Sequence, residues 1–380
     1  MVTKSDLPDP VLAPASPCEA PLPPMISVVI PAHNEAAHLG ALFEDLLNQD
    51  YPTDRYEILV VDGESTDQTR GVVENFARSA RVRILCLPNP RRLSSAGRNV
   101  GVRASRGDFI LFIDGHCRLP GPAFLRHTVR LFEDTGADCL CRPAILETDG
   151  NTWFQNVVAH VRSTFLGHGP DSTIYVTDFE GFVNPTSAGA FYRRSVFDTV
   201  GMHDEGFDAC EDVEFNHRVH KAGLRSYLSS SLAVVYRPRS TPFGVFSQLF
   251  RYGRGRFRFI LKHPDAVSVT QLIPAAFVGW LFFGALGSLA SAVVAKLYLA
   301  SLAVYGAVVL WYSTGLGLRY GVRELVAAPL VYVLMHTGLG GGFWVEALKC
   351  LWTNPAAKLK SFAIRRAANG AVRRSSNGKE

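Results

Sequence analysis

From Ile26 onward the chain alternates between two hydrophobic rhythms. Short apolar runs rich in β-branched residues, ISVVI (26–30), EILVV (57–61), RVRILCL (81–87), FILFI (109–113) and ADCLCR (137–142), read as strands. Between them lie stretches such as AAHLGALFEDLLNQ (36–49), with apolar residues at helical spacing. Strands without polar alternation, separated by helices, predict an α/β fold whose central, mostly parallel sheet is covered on both faces. Ligands of such sheets lie beyond the carboxyl ends of the strands. Three strands run into acidic residues there: ISVVI into PAHNE with Glu35, EILVV into DGES with Asp62, and FILFI into DGH with Asp114 and His116. The pattern predicts one acidic rim. Asp114 and His116 lie two apart, so an extended exit from the strand would turn both into the same crevice.

A different pattern takes over near the C-terminus. Residues 266–295, 297–318 and 325–345 contain no Asp, Glu, Lys or Arg, and each reaches the ~20 residues that a helix needs to cross a bilayer. Only Lys296 and RYGVRE (319–324) separate them, which speaks against a hairpin buried in a soluble core. A membrane region over 266–346, with two to four helices, is predicted. Its last segment contains His336 and GLGGG (338–342), poor material for a lipid-exposed helix, and is expected to be re-entrant or interfacial. Residues 1–24 are proline-rich with no apolar h-region, so a disordered tail is expected rather than a signal peptide. Residues 25–262 should then form a cytoplasmic domain of a multi-pass protein of the cell membrane, closed by an interfacial helix at about 242–262.

Charge refines this division. The net charge of +5 is concentrated in residues 349–380, which hold eight Lys and Arg against one Glu. What precedes is slightly acidic, which excludes nucleic acid as the main partner. The basic tail, 347–380, is expected on the cytoplasmic side near anionic membrane lipids, although three full crossings would carry it outside. Seven cysteines, an odd number without a CxxC pair, fit a reducing compartment.

Carboxylates gathered on one rim repel one another and persist where a cation or hydrogen-bond donors compensate. A divalent metal, Mg2+ or Mn2+, and the hydroxyls of a sugar nucleotide are the two compensators expected. A second acidic group stands in CEDVEFNHRVHKAG (210–223), where Glu211, Asp212 and Glu214 open a helix. The helix dipole alone would favour them, but the glycine-containing loop before them suits a mobile lid. Ser65 and Gln68 have the spacing of a capping box. Farther on, QLFRYGRGRFRF (248–259) reads either as a site segment with Gln248, Arg251 and Tyr252, or as an interfacial helix whose arginines meet lipid phosphates.

Taken in order, PAHNE, VVDGESTDQT, SSAGRNVGVRASRGDFILFIDGH, SAGAFYRRSVFDTVGMHDEGF and EDVEF resemble a family 2 glycosyltransferase of the GT-A fold, near its succinoglycan glucosyltransferase group. The resemblance covers about residues 26–260. It implies an inverting, metal-dependent hexosyltransferase of exopolysaccharide or cell-envelope glycan synthesis, using a nucleotide sugar such as UDP-glucose and a polyprenyl-diphosphate-linked saccharide acceptor. Carried over by position, it implies Glu35, Asp62, Arg98 and Asp114 at the donor, and Asp114 with His116 at the metal. Asp212 becomes the general base with Glu211 in support, and Gln248, Arg251 and Tyr252 meet acceptor or pyrophosphate. His116 stands where the family has a second acidic residue, and imidazole suits Mn2+ better than Mg2+. A nucleotidyltransferase should carry a glycine-rich basic loop where PAHNE stands. The remaining alternative is a catalytically silent GT-A scaffold or glycan-binding assembly subunit at the membrane.

Overall fold

A computed structural model describes residues 22–146, 151–169, 174–175 and 177–353. The strands are β1 (Ile26–Ala32), β2 (Tyr56–Asp62), β3 (Arg83–Pro88), β4 (Phe109–Phe112), β5 (Cys117–Arg118), β6 (Cys139–Cys141), β7 (Ala144–Leu146), β8 (Gly181–Phe182), β9 (Gly189–Arg193), β10 (Ser226–Leu228) and β11 (Val234–Tyr236). The α-helices of the sheet-bearing part are α1 (Ala36–Leu47), α2 (Thr69–Ser79), α3 (Ser94–Ala104), α4 (Phe124–Thr135), α5 (Trp153–Arg162), α6 (Phe165–His168), α7 (Arg194–Val200), α8 (Glu211–Lys221) and α9 (Pro242–Lys262). Three more follow: α10 (Val269–Ala290), α11 (Ala292–Tyr320) and α12 (Val322–Thr353). The proline-rich tail before residue 22 and the basic tail from 354 lie outside the described residues.

The main sheet has the order β3-β2-β1-β4-β9-β6-β10-β8. The run from β3 to β4 is parallel, as is the pair β6–β10, whereas β9 lies antiparallel between β4 and β6. The central mostly parallel sheet expected from the apolar runs is therefore present. Alternate side chains of β1 divide between two cores. Val28 and Ile30 pack with Leu39, Phe43 and Phe132 from α1 and α4, and Val29 packs on the opposite face with Val102, Phe197 and Phe215 from α3, α7 and α8. Each fully buried side chain of this size contributes roughly 1.5–3 kcal/mol. Both faces being covered explains why the strands show no polar alternation.

Two local expectations fail for a shared reason, competition for backbone donors. The capping box at Ser65 does not form, because the Ser65 amide donates to the Asp62 carboxylate (3.2 Å) and its hydroxyl accepts from the Asn34 amide (2.9 Å). Helix α2 starts later, with Asp67 accepting from the Thr69 amide (3.0 Å). The DGH segment does not leave β4 extended either: the Cys117 amide donates to the Asp114 carbonyl (3.0 Å), closing a tight turn.

Helices α10, α11 and α12 are each long and apolar enough to cross a membrane. They differ in how they are covered. In α12, 39% of the most apolar stretch is buried inside the protein, against 11% and 6% in α10 and α11. The GLGGG run contributes to this, beside Ala328, Val331, Tyr332 and Met335. A Cβ at Gly342 would run into the Phe250 carbonyl of α9, and one at Gly340 into the Pro274 carbonyl of α10. These glycines allow backbone-to-backbone packing, the use that small residues find between membrane helices. The re-entrant expectation is corrected, since α12 is one continuous helix of 32 residues whose glycines face other helices. The lipid-phosphate reading of the α9 arginines is corrected for two of them, which are committed inside the protein. Arg254 and Arg258 donate to Glu346 of α12 (2.9 and 2.7 Å) and pair with Asp208 (3.3 and 2.7 Å).

Candidate active site

At the end of β1 the chain passes through Asn34, at φ 56°, into Glu35 at the start of α1. The turn after β4 lies directly against it. A Cβ on Gly115 would stand 3.1 Å from the Glu35 Cγ, so a glycine lets the two strand ends meet. His116 folds back from this turn, its Nδ1 3.0 Å from Glu35 Oε1, and among the described residues no hydrogen bond occupies Nε2. Asp114 is half-buried, with the Arg142 guanidinium 3.9 Å away. Among the described residues no hydrogen-bond donor occupies its carboxylate. Burial raises the Asp114 pKa, but His116, Arg142, Arg98 and Arg239 together outweigh it and hold the carboxyl below its ordinary range. Burial lowers the His116 pKa, and the bond to Glu35 with the charges of Asp114 and Glu35 reverses the direction, so the imidazole is raised.

One strand over, Asp62 is fully buried and committed: Arg70 donates to it (2.5 Å), as does the Ser65 amide. It belongs to the same sheet edge, paired in register with Ala32, three residues before Glu35.

The other wall of the crevice comes from α3, α8 and α9. Arg98 of α3 is nearly buried, with its guanidinium 5.1 Å over the Phe112 ring and Nε 3.8 Å from Glu211 Oε1. Among the described residues its Nε has no hydrogen-bond partner, and the charges of Glu211, Asp212 and Asp114 all bear on it. Arg98 therefore links the rim at Asp114 to the acidic start of α8. Burial raises the pKa of Glu211, Arg98 opposes this and Asp212 adds to it, and the net direction is up. Asp212 accepts from the Val213 amide (2.8 Å). Cys210 enters the helix at φ 60°.

Gln248 is buried on α9, where its amide donates to the Tyr236 and Tyr252 hydroxyls (3.1 and 3.2 Å). The Tyr236 ring meets the His116 imidazole edge-on at 5.4 Å, so this group adjoins the rim. Arg251 is exposed and reaches the Asp208 carbonyl (3.4 Å) instead. The loop expected to be a mobile lid is tied down: Ser95 donates to the Phe207 carbonyl, Asn99 exchanges hydrogen bonds with the His203 backbone, and Lys262 pairs with Asp204.

The fold thus gathers Glu35, Arg98, Asp114, His116, Glu211 and Asp212 around one crevice, with Gln248 and Tyr252 beside it, Asp62 along its edge and Arg251 turned away. Sequence reasoning missed Arg142, Arg239, Tyr236 and Arg162. Arg142 could have been found, because it follows β6 as the aspartates follow their strands. The Asp114 carboxylate and the His116 imidazole offer oxygen and nitrogen donors of the kind that suits a divalent cation of the Mn2+ type. A three-residue imidazole–carboxylate group, His217, His263 and Asp265, fits less well. Lys221 already pairs with Asp265 (2.8 Å), and Lys262 with the Glu214 that holds His263 (2.8 Å).

The chain is similar to known proteins. Residues 27–201 match the model of Glycosyl transferase family 2. The chain is 34% identical to the succinoglycan biosynthesis protein ExoA of Rhizobium meliloti (strain 1021) over 329 residues, 84% of this chain and 94% of that protein. The chain belongs to glycosyl transferase family 2. It is also 25% identical, over 85% of its length and 97% of the relative's, to a dolichyl N-acetyl-alpha-D-glucosaminyl phosphate 3-beta-D-2,3-diacetamido-2,3-dideoxy-beta-D-glucuronosyltransferase of Methanococcus voltae. Among solved structures, the mannosyltransferase PcManGT from Pyrobaculum calidifontis, in complex with GDP-Man and Mn2+, superposes with a TM-score of 0.54. That match has 19% identity and covers 87% of this chain and 88% of that one, a likeness of fold. The GT-A-like fold expected from the sequence is present.

Proposed function

We propose that this family 2 glycosyltransferase moves a hexose from a nucleotide sugar, UDP-glucose or a similar UDP-hexose, to a saccharide linked to a membrane-borne polyprenyl diphosphate, with inversion at the anomeric carbon. The observation that carries this reading is Arg98, 3.8 Å from Glu211 at the start of α8 and within reach of the charges of Asp114 and Asp212. Two relatives, named for succinoglycan biosynthesis and for a dolichyl-phosphate-linked sugar, support exopolysaccharide or lipid-linked glycan synthesis as the setting.

Glu35 faces the nucleoside on the rim side, and Asp62, buried and held by Arg70 and the Ser65 amide, fixes the neighbouring strand end behind it. Asp114 and His116 would hold a divalent ion, Mn2+ or Mg2+, which when bound supplies positive charge to the donor diphosphate. Glu35, bonded to Nδ1, fixes the His116 ring so that Nε2 points outward. Asp212 takes the proton from the acceptor hydroxyl as that oxygen attacks the anomeric carbon and the bond from that carbon to the nucleoside diphosphate breaks, because a sugar hydroxyl is a weak nucleophile at neutral pH. Glu211 and Arg98 position the start of α8, and Gln248 and Tyr252 face the acceptor, whereas Arg251 is taken up by the Asp208 carbonyl. The division proposed is a catalytic domain over 25–262 on the cytoplasmic side, a multi-pass region that the continuous α12 extends from the expected 346 to 353, and a basic tail beyond it on anionic lipid.

Membranes carrying the full chain, screened against labelled nucleotide sugars with EDTA and Mn2+ controls, test the reading. Transfer to lipid-extractable product that Asp212→Asn abolishes is the expected result. No product with any donor would favour a silent scaffold.

A further inference from the structure

Helix α5 carries a cation where a core residue is expected. Val157, Val158 and Val161 are fully buried, and Arg162, beside them at the helix end, keeps only 6% of its surface exposed. Isolating a guanidinium from water costs several kcal/mol unless an anion or a full set of acceptors replaces the solvent. The other shielded arginines obey this rule. Arg98 faces Glu211, Arg142 faces Asp114, Arg218 holds Glu214, and Arg254 holds Glu346. Among the described residues no carboxylate pairs with Arg162. It donates to the Gln248 side-chain oxygen (2.6 Å) and is surrounded by the neutral hydroxyls of Tyr175, Tyr236 and Tyr252.

Its position gives the unpaired charge a use. On one side Gln248 joins it to Tyr236 and Tyr252, and thereby to His116 and to the loop before Asp212, since the Cys210 thiol donates to the Tyr252 carbonyl. On the other side the α5–α6 joint rests on α12, through Thr164 and Tyr332 (2.9 Å) and through His336 and the Leu166 carbonyl (3.1 Å). Arg162 thus lies between the crevice and an apolar helix. Phosphate oxygens accept from a planar guanidinium in pairs, and tyrosine hydroxyls supply further donors. Tyr252, 37% exposed, is the open edge of the group.

We propose that Arg162, with Tyr236, Tyr252 and Gln248, forms a binding site for a diphosphate, that of the lipid-linked acceptor. The assignment to the acceptor rests on the proposed function, whereas the diphosphate site itself does not. Detergent-solubilised full chain is titrated with geranylgeranyl diphosphate, geranylgeraniol, inorganic pyrophosphate and UDP, for the wild type, Arg162→Met and Arg162→Lys. Charged hydrogen bonds of ~1.5–3 kcal/mol correspond to a loss of at least about tenfold in affinity. Expected is such a loss for geranylgeranyl diphosphate in Arg162→Met, partial recovery in Arg162→Lys, and no change for geranylgeraniol or UDP. Equal Arg162-dependent losses for pyrophosphate and UDP would overturn the acceptor assignment and leave a site for a free nucleotide diphosphate. Unchanged binding of all diphosphates by a folded Arg162→Met protein would overturn the site altogether. Should Arg162→Met fail to fold, Tyr252→Phe and Arg162→Lys carry the same comparison. Arg162-dependent binding by a wild type that transfers no sugar would keep the site and remove the proposed reaction.

Discussion

The two walls of the crevice are built on different principles. The rim wall, with Glu35, Asp114 and His116, consists of strand ends brought together by sheet register, and its groups make few contacts beyond one another. The opposite wall, with Arg98, Glu211, Asp212, Gln248 and Tyr252, is assembled from helices far apart in sequence and is cross-linked throughout. The first has uncommitted donor atoms and the second has fixed ones. An open, acidic wall suits a soluble cation and a nucleotide that come and go. A braced wall suits a base that must keep its aim on an acceptor hydroxyl.

The largest expected effect breaks the braced wall at its chemistry. Asp212→Asn removes the proton acceptor and should lower transfer by about 10²–10⁴-fold with no change in thermal midpoint, read by labelled-sugar transfer and melting in detergent. Next comes the brace itself. In Gly342→Val, the new side chain meets the Phe250 carbonyl, and such overpacking costs ~1–3 kcal/mol or more, seen as a lower melting temperature and faster proteolysis between α9 and α12. Glu346→Gln should cost less, about 1–2 kcal/mol in the same melt. Asp208 remains as a partner for both Arg254 and Arg258. On the open wall, EDTA should abolish transfer and Mn2+ should restore it better than Mg2+. His116→Asp should reverse that preference while changing the best rate least of all, measured as rate against concentration of each metal.

How much of this was legible beforehand follows the same contrast. The apolar runs ending in Glu35, Asp62 and Asp114 announced the rim, because a strand buried on both faces records its environment in nearly every residue. The extended exit expected at Asp114 was wrong, since a single backbone bond to Cys117 decides the turn. Arg162 left no trace, because a helix of the pattern VVAHVR gives no sign of which face a distant glutamine and three tyrosines will cover. The glycines of α12 were legible as an anomaly but not as a solution. Only the position of α9 shows that GLGGG is a packing surface.

That packing surface bears on how the enzyme can be handled. Val245 and Leu249 of α9 and the α5 valines share one apolar cluster with Ala328, Val331, Tyr332 and Met335 of α12. Cutting the chain after residue 262 in search of a soluble fragment would strip the underside from the catalytic half and leave this greasy seam facing water. Expression trials should therefore keep the whole polypeptide in detergent or nanodiscs.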